Sequence, residues 1–513
     1  MVKILENTPF GFVMELEGDK AYFSGDSYEV YVNEAYYGVY EQNVISLFGL
    51  KPNRLYKVKI HSEIREFCFE IRTKEIGYLI NICDYNAAGD GMKDDTSAIN
   101  TAIYTAPRGS VVYVPAGEYM VSQIYLKSGV DIYLEKGSRI RQNTDRSSLS
   151  ILKGYQKDYY HMDATVNASW EGNPLDTYCG VFFGYEVEDV RIYGAGMIDG
   201  SGEEGGWWEH PKLKKAAFRP RNVFLNCCRN ITISGITSRN SACWNIHPFY
   251  SEKIRIYHVR LESPKDSPNT DGINPESCRD VKIIGCRFEV GDDCIAVKAG
   301  KYFMSRYSCR PCEDIYVANC YMGDGHGGVA VGSEISCGVK NLTVERCYMD
   351  GTDRGIRIKT RRGRGSTCVV DHIRLSGIIM KNVQHCISMN MFYNCDPDGS
   401  SDYVKNKQAA RKDTLTPEIK RIELRQIEAT DIRGCAIFMY GLPESRIGTV
   451  QIDECSFTFA DNRECGQPEM LDDFEEIADL GIFIRNAETA GLKANKFNGK
   501  YVSVIEEEMC EAD

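Results

Sequence analysis

Apolar and polar residues alternate in short segments along most of the chain. Residues 231–236 read Ile-Thr-Ile-Ser-Gly-Ile and residues 281–286 read Val-Lys-Ile-Ile-Gly-Cys, and this period of two predicts strands rather than helices. Hexamers of this kind begin at Val190, Ile231, Ile254, Val281, Ile315, Leu342, Ile373, Ile422 and Val450. The shortest interval is 23 residues and the others are longer, as expected of a solenoid whose loops vary in length.

We therefore predict an all-β fold, a right-handed parallel β-helix over residues 77–513. Each coil stacks on the next at about 4.8 Å, and its inward side chains form continuous apolar ladders. A single coil cannot bury its inner face, so both ends need caps. Asp94 and Asp95 precede an apolar run through Ile103, which predicts a helix at the first end and a capping role for these carboxylates.

Residues 1–76 follow a different pattern. Short alternating or β-branched segments at 20–24, 28–32, 56–60 and 66–71 are separated by turn signals such as Gly25-Asp26. This pattern predicts a small β-sandwich of roughly seven strands, similar to fibronectin type III. Its role is left open between a spacer, a lid over one end of the main domain and a dimer contact, and a homo-oligomer is compatible with the sequence.

Composition and charge exclude several classes of protein. The net charge of −12 argues against nucleic acid as a partner, and no apolar stretch is long enough to cross a membrane. The first residues lack the apolar core of a signal peptide, so we expect a cytoplasmic protein. The 21 cysteines occur singly at apolar positions, as free thiols do in a reducing compartment. The isolated Cys309–Cys312 pair does not predict a metal site, and no cofactor is expected.

Four motifs carry the candidate chemistry. They are Asn269-Thr270-Asp271-Gly272, Gly291-Asp292-Asp293, Gly325-His326-Gly327 and Arg357-Ile358-Lys359. Since they follow one another at about one coil each, we expect them to form a stripe along one face, where a linear polysaccharide fits. Neighbouring carboxylates cannot all ionise easily, so one keeps a proton and the set supplies the acid and the base of glycoside hydrolysis.

Two features of the motifs constrain the site further. Adjacent residues of a regular strand point to opposite faces, so Asp292 and Asp293 share a site only at a corner, which Gly291 permits. Placement on neighbouring coils leaves room for a water, which favours inversion with carboxyl groups roughly 6.5–9.5 Å apart. The basic run then offers partners for a substrate carboxylate; its members are Arg354, Arg357, Lys359, Arg361, Arg362 and Arg364.

The four motifs resemble those of glycoside hydrolase family 28, the polygalacturonases, over about residues 80–400. The resemblance is densest from Trp244 to Lys359. It implies that Asp292 is the general acid, that Asp271 and Asp293 hold and activate water, and that His326 tunes the acid. It also implies that Arg357 and Lys359 hold a galacturonate carboxylate. Further substrate-binding positions expected from it are Asn269, Tyr393 and Arg361.

The resemblance also implies a mode of action. Asn274 follows the first motif where many fungal members have an acidic residue, and the basic extension and the N-terminal unit look like bacterial exo-acting members. We expect an exo-acting enzyme that releases galacturonic acid from the non-reducing end of pectic oligosaccharides. Alternatives are an exo-hydrolase of rhamnogalacturonan or xylogalacturonan fragments, an endo-polygalacturonase, a calcium-dependent pectate lyase and a non-catalytic β-solenoid that binds carbohydrate.

Three long insertions are the expected binding walls. Residues 155–180 carry Trp170, residues 201–222 carry Trp207 and Trp208, and residues 394–416 are polar. Long loops in compact domains tend to carry function. The sequence leaves open whether the tryptophans stack on sugars or pack against the solenoid wall.

Overall fold

The computed structural model describes residues 1–157, 164–463, 466–474 and 480–505. Its N-terminal region contains the strands Val2–Thr8, Gly11–Leu16, Phe23–Val32, Ala35–Gln42, Val44–Phe48, Leu55–His61 and Glu66–Arg72. The first, second and fifth of these form one antiparallel sheet, and the remaining four form another. The two sheets share a core that includes Phe12, Tyr28, Ile45 and Ile60. The division of the chain at residue 76 stays a prediction.

The rest of the described chain is a right-handed parallel β-helix built on one long sheet of 25 strands, which confirms the predicted fold. Its strands are Tyr78–Asn81, Asp90–Asp94, Ser110–Val114, Gly117–Val121, Asp131–Leu134, Ser138–Gln142, Glu188–Gly194, Met197–Asp199, Arg229–Ser234, Thr237–Arg239, Glu252–Tyr257, Arg260–Glu262, Arg279–Ile284, Arg287–Glu289, Cys312–Ala318, Tyr321–Gly323, Val339–Glu345, Tyr348–Asp350, Val369–Lys381, Glu418–Ile419, Ile422–Ile432, Ile447–Asp453, Ser456–Phe459, Ala487–Lys493 and Lys496–Asn498.

The predicted repeat is also the observed register. Val190 pairs with Ile231, and the same position continues through Ile254 and Val281 to Val450. These side chains are buried and belong to one continuous apolar core. Burying apolar surface is the main favourable contribution to folding, so the alternating hexamers explain why the coils stack.

A second stack of strands, here called the front sheet, is built from one strand of each contributing coil. Its strands are Ile124–Tyr125, Phe182–Tyr185, Val223–Asn226, Ile246–Phe249, Asp293–Val297, Gly327–Gly332, Arg354–Lys359, His385–Asn390, Ile437–Tyr440, Leu480–Arg485 and Val502–Ile505. Single bridges through Ile273 and Glu276 join its four-stranded and seven-stranded parts. Two short hairpins pair Ile151–Leu152 with Thr177–Tyr178 and Tyr155–Lys157 with Ala164–Val166.

Helices are few in the described residues. The α-helices are Thr96–Thr105, Tyr302–Ser305 and Asp402–Lys405, and the 3₁₀ helices are Ile82–Tyr85 and Arg146–Ser148. The first α-helix covers the start of the solenoid with Ile99, Ala102 and Ile103. Asp94 accepts a hydrogen bond from the Thr96 amide at 2.9 Å, whereas Asp95 accepts from the amides of the preceding loop. Across the described chain, no helix combines the length and apolar character needed to span a membrane.

The N-terminal sheets pack against the long sheet. Phe48 and Val44 share an apolar cluster with Tyr193 and Ile284, and Phe10 stacks on Tyr133 with ring centroids 4.4 Å apart. Polar contacts continue the interface, because Ser46 lies 2.8 Å from His258 and Asn43 donates to Asn319 at 3.0 Å. In the described residues, these contacts join the N-terminal unit to the long sheet.

Candidate active site

A cavity of about 380 Å³ lies over the front sheet and gathers most of the predicted site residues. Eight of the nine line it: Asn269, Asp271, Asp292, Asp293, His326, Arg357, Lys359 and Tyr393. They come from successive coils, so the predicted stripe of motifs is present. Arg361 is the exception and does not line the cavity. All lining residues lie at position 171 or beyond, so the N-terminal unit contributes none of them.

Glycines allow the motifs to approach one another. A Cβ atom on Gly291 would lie 2.2 Å from the Ser267 carbonyl oxygen, so a larger residue would push the following Asp292 away from the preceding coil. A Cβ atom on Gly327 would lie 2.6 Å from Asp293 Oδ1 and 2.7 Å from Arg357 Cδ. The glycines therefore leave the space in which Arg357 reaches across one coil to Asp293.

Asp293 is held by two cations. Its Oδ1 accepts from Arg357 Nη1 at 3.0 Å and its Oδ2 from Lys359 Nζ at 2.7 Å, and all three side chains are buried. Burial acts to raise the pKa of Asp293, but the charges of Lys359 and Arg357 outweigh it and hold that pKa well below its usual range. Asp293 is consequently an ionised base throughout the ordinary pH range.

Asp292 stands at the mouth of the cavity beside His326. Asp292 Oδ1 lies 3.4 Å from His326 Nδ1, and Asn269 Nδ2 donates to Asp292 Oδ2 at 3.4 Å. The His326 side chain is 54% exposed and that of Asp292 is 19% exposed. Burial acts to raise the pKa of Asp292, but the hydrogen bond from His326 and the charges of His326 and Lys359 together outweigh it and lower that pKa. The same hydrogen bond raises the pKa of His326.

Asp271 is the carboxyl that keeps a proton. It is buried, accepts a hydrogen bond from Asn274 Nδ2 at 2.8 Å and lies 3.9 Å from Lys298 Nζ. Burial, followed by repulsion from Asp292, raises the pKa of Asp271 to about 8. The raised pKa favours the protonated form of Asp271 among the three carboxyl groups, whereas the resemblance implies that Asp292 is the acid.

The three carboxyl groups form one compact cluster. One oxygen of each of Asp271, Asp292 and Asp293 lies within 4.8 Å of the others, so the expected separation of roughly 6.5–9.5 Å is wrong for these oxygens. The carboxyl groups come closer because Gly291 and Gly327 let neighbouring coils approach. Hydrogen bonds of about 2.8 Å from one water reach two oxygens up to about 5.6 Å apart, so a single water can bridge any two members. Such a cluster also has the composition of a cation site. However, Arg357 and Lys359 already bind both oxygens of Asp293, which disfavours the calcium-dependent lyase.

The basic run divides into two parts. Arg357 and Lys359 face the cavity, whereas the last three arginines pair with acidic residues of other segments. Arg361 donates to Asp396 at 3.0 Å and to Asp398 at 2.7 Å, and Arg362 binds Glu444 through two hydrogen bonds of 2.6 and 2.9 Å. Arg361 supports the cavity wall through Asp396, which does line it, and its binding to substrate stays a prediction.

Several lining residues were not predicted. They are Glu171, Lys212, Trp244, Lys298, Lys301, Ser333, Glu334, Asp353, Cys395, Asp396 and Met470, whereas Arg354 belongs to the predicted basic run. Lys298 lies 3.2 Å from Glu334 and 4.6 Å from the centre of the Trp244 ring. Lys298 follows the strand that Asp293 begins, which is a usable signal. Glu334 and Asp396 carry no motif, and only the folding of the chain brings them here.

The three tryptophans of the insertions contact the protein. Trp207 is buried beneath Arg146, whose guanidinium lies 4.1 Å from the ring centre, and Trp170 stacks on Phe218 at 4.8 Å. Trp208 donates to the Ser241 carbonyl oxygen at 3.2 Å. Among the tryptophans, Trp244 lines the cavity instead. The part of the first insertion between residues 157 and 164 lies outside the described residues.

One known protein family matches most of the chain. Residues 111–465, more than half of the chain, match the family model described as Glycosyl hydrolases family 28. The chain belongs to glycosyl hydrolase family 28. A protein from Vitis vinifera, named probable polygalacturonase, is 32% identical over 332 residues, which are 63% of this chain and 65% of that protein. The family 28 chain thus spans somewhat less than two thirds of that relative.

Solved structures show the same fold. The family 28 exopolygalacturonase from Yersinia enterocolitica superimposes with a TM-score of 0.69 at 16% identity, over 98% of this chain and 97% of that one. The exopolygalacturonase from Thermotoga maritima gives a TM-score of 0.64 at 22% identity, over 82% of this chain and 92% of that one. The first of these similarities extends over the N-terminal sheets of this family 28 protein as well as its solenoid.

Proposed function

We propose that this family 28 protein is a polygalacturonase, a hydrolase of α-1,4-linked galacturonic acid. The observation that carries the proposal is the cluster of Asp271, Asp292 and Asp293 beside Arg357 and Lys359 in one cavity. The carboxyl cluster supplies an acid and a base, and the cations suit the carboxylate of an acidic sugar. The activity of the Vitis vinifera relative, as its name gives it, agrees with this substrate.

In the proposed mechanism Asp292 protonates the leaving oxygen. A bound sugar covers Asp292 and removes water from it, which raises its pKa, and the proton passes from Asp271 to Asp292 over the short distance between them. Asp271 and Asp293 then hold and activate the attacking water. His326, which lies at the exposed side of Asp292, orients the acid and contacts the substrate.

Inversion is the proposed stereochemical outcome. It requires that water attack from the face opposite the leaving oxygen. Asp293, fixed in its ionised form by Arg357 and Lys359, is a suitable base for that water. Nuclear magnetic resonance of the first product formed distinguishes inversion from retention, because the two anomers give separate signals before mutarotation.

We further propose exo action. The segment at residues 467–472, here called the strap, crosses the front sheet one coil beyond Arg357. The Pro468 carbonyl oxygen accepts from Arg354 at 3.2 Å, and the Met470 carbonyl oxygen accepts from Asn390 at 3.1 Å. A wall across one end of a cleft favours a chain end over the middle of a polymer. Attack at the non-reducing end, as the family resemblance implies, completes this proposal.

The test is product analysis of digalacturonate and a reducing-end-labelled longer oligogalacturonate, with wild type and Asp292→Asn side by side. We expect galacturonic acid from the first time point and label retained in the shortened oligomer, with a loss of about 10³-fold or more in the variant. Mid-length products would indicate an endo-polygalacturonase, and early loss of label would indicate attack at the reducing end. No cleavage of either substrate would favour the alternative, an exo-hydrolase of rhamnogalacturonan or xylogalacturonan fragments.

We also propose that the enzyme acts in the cytoplasm on short oligogalacturonides. The described cysteines are free and most are buried, which agrees with a reducing compartment. Cell fractionation followed by immunodetection tests this, and recovery in the medium or periplasm would contradict it. A homo-oligomer stays a prediction, which sedimentation of the purified protein tests.

A further inference from the structure

Glu469 is a buried acid that the proposed mechanism does not use. It lies on the strap, 112 residues after Arg357, and its two oxygens accept from Arg357 Nε at 2.8 Å and Nη2 at 2.9 Å. The Glu469 side chain is 0% exposed and that of Arg357 is 4% exposed. The strap holds Glu469 in place, because Arg354 donates to the carbonyl oxygens of Gln467 and Pro468, both at 3.2 Å.

The hydrogen bonds of Arg357 can be counted donor by donor. A guanidinium has five N–H groups, one on Nε and two on each terminal nitrogen. Glu469 takes the Nε group and one on Nη2, and Asp293 takes one on Nη1 at 3.0 Å. One N–H remains on each terminal nitrogen. Those two groups together form the second fork of a guanidinium, whose geometry matches one carboxylate.

The positive charge of Arg357 is neutralised by its neighbours. The cations Arg357 and Lys359 are balanced by the anions Asp293 and Glu469. A substrate carboxylate is therefore not drawn in by a large unpaired positive charge. Its recognition depends on how well the remaining donors are aimed, which makes the orientation of the guanidinium decisive.

We propose that Glu469 is a positioning residue for substrate recognition: it fixes the guanidinium of Arg357 so that the second fork faces the cavity. Glu469 thereby sets the preference for a free carboxylate over a methyl-esterified sugar. This inference rests on the proposed function, since it requires that Arg357 bind a galacturonate carboxylate.

The experiment measures kcat and KM of Glu469→Gln and of wild type on two substrates: digalacturonate, and digalacturonate whose carboxyl groups are methyl-esterified. The glutamine keeps the size of the side chain but loses the charge and one acceptor. We expect the KM for the acid to rise about 10-fold or more with kcat within about twofold, because a well-made charged hydrogen bond contributes about that factor to binding. The KM for the ester should stay within about twofold, so the ratio of the two KM values falls.

A matched control separates positioning from general damage. Arg362 and Glu444 form another buried two-bond pair, at 2.6 and 2.9 Å, and neither residue lines the cavity. Glu444→Gln should therefore weaken the fold in a similar way while leaving both KM values unchanged. Thermal unfolding of both variants shows whether their losses of stability are comparable.

Three further variants test whether Glu469 acts through Arg357. Arg357→Lys retains the charge but has no fork, so it should lose the preference for the acid, and adding Glu469→Gln to it should cause no further change. Glu469→Asp keeps the charge but shortens the reach, and we expect it to behave like Glu469→Gln. It also serves if the glutamine variant does not fold.

The possible outcomes distinguish the two proposals. If wild type does not cleave digalacturonate, or if Arg357→Lys treats acid and ester as wild type does, the proposed function of Arg357 fails. If wild type and Arg357→Lys behave as expected but Glu469→Gln and Glu469→Asp keep the wild-type ratio of KM values, the role of Glu469 is overturned. Equal losses on acid and ester in the Glu469 variants would make Glu469 purely structural.

Discussion

At the scale of the residue, the decisive feature is how three neighbouring carboxyl groups differ in environment. Asp293 receives two cations, Asp292 receives a hydrogen bond from an exposed histidine, and Asp271 is buried with only a distant lysine. Their pKa values therefore separate, and that of Asp271 rises to about 8. Chemically identical side chains thereby differ in how readily they hold a proton near neutral pH.

Asp271→Asn should reveal this proton through stability. The pKa of Asp271 is raised by burial to about 8, against about 3.9 in an unfolded chain. The native state then holds a proton that the unfolded state releases, so the free energy of unfolding falls as pH rises from about 4 to about 8. Relative to wild type, the asparagine variant should gain about 5–6 kcal/mol over that interval while losing activity.

Chemical denaturation of both proteins across the pH range measures this difference. Glu276 and Glu6 also have raised pKa values, each about 7, because of burial, but they are common to both proteins and cancel in the comparison. Parallel stability curves for wild type and variant would mean that Asp271 is ionised in the fold and that the acid is elsewhere.

At the scale of the element, the strands have two separate tasks. The long sheet supplies register and apolar ladders, whereas strands of the front sheet begin or end at candidate site residues such as Asp293 and Lys359. Side chains at strand ends are free of the inside–outside alternation, because the backbone turns there. Site residues thus collect at the borders of strands whose interiors hold the core.

Ile283→Ala tests the contribution of one ladder position. Ile283 is fully buried on the strand Arg279–Ile284 and pairs with Ile256 and Val317 on the adjacent coils. Its truncation should lower the free energy of unfolding by about 3 kcal/mol, because it removes apolar contacts and leaves a cavity. Lys282→Ala, on the exposed face of the same strand, should stay within about 0.5 kcal/mol of wild type. Equal effects of the two substitutions in chemical denaturation would contradict the assigned register.

At the scale of the whole molecule, the N-terminal sheets cover apolar surface that the solenoid would otherwise expose. Tyr133, Tyr193 and Tyr257 on the long sheet are buried together with Val44 and Phe48 of the N-terminal unit. No residue of this unit lines the cavity. The sequence left open a spacer, a lid over one end of the main domain and a dimer contact. Because the contacts run along the long sheet from Tyr133 to Ile284, they favour a structural support of the solenoid over a lid at its end.

Phe48→Ala tests that assignment. Phe48 is buried against Tyr193, with ring centroids 6.2 Å apart, and its truncation should cost about 3 kcal/mol of stability. The kcat and KM should not change, because the site is built without this residue. Tyr36→Ala, at a position 60% exposed on the same unit, is the control and should alter neither property. A rise in KM for Phe48→Ala would instead connect the N-terminal unit to the cavity.

The accuracy of the sequence-based predictions follows the range of the interactions involved. The register of the nine hexamers was predictable because inward apolar residues recur on every coil and each coil pairs only with its neighbours. The stripe of motifs follows from the same regularity. Glu469 was missed because it comes from a distant segment with no repeat of its own. The pairing of Arg361 with Asp396 and Asp398 was missed for the same reason.

The solenoid, its period and the residues that meet on one face follow from the sequence alone, since these depend on local alternation and nearest-neighbour stacking. The different pKa values of the three carboxyl groups and the set of arginines that line the cavity follow only from the folded structure. Those properties depend on burial and on charges brought together from far apart in the chain. These properties cannot be derived from a motif, because the pKa of an Asp and the partners of an Arg depend on the groups that the fold places beside them.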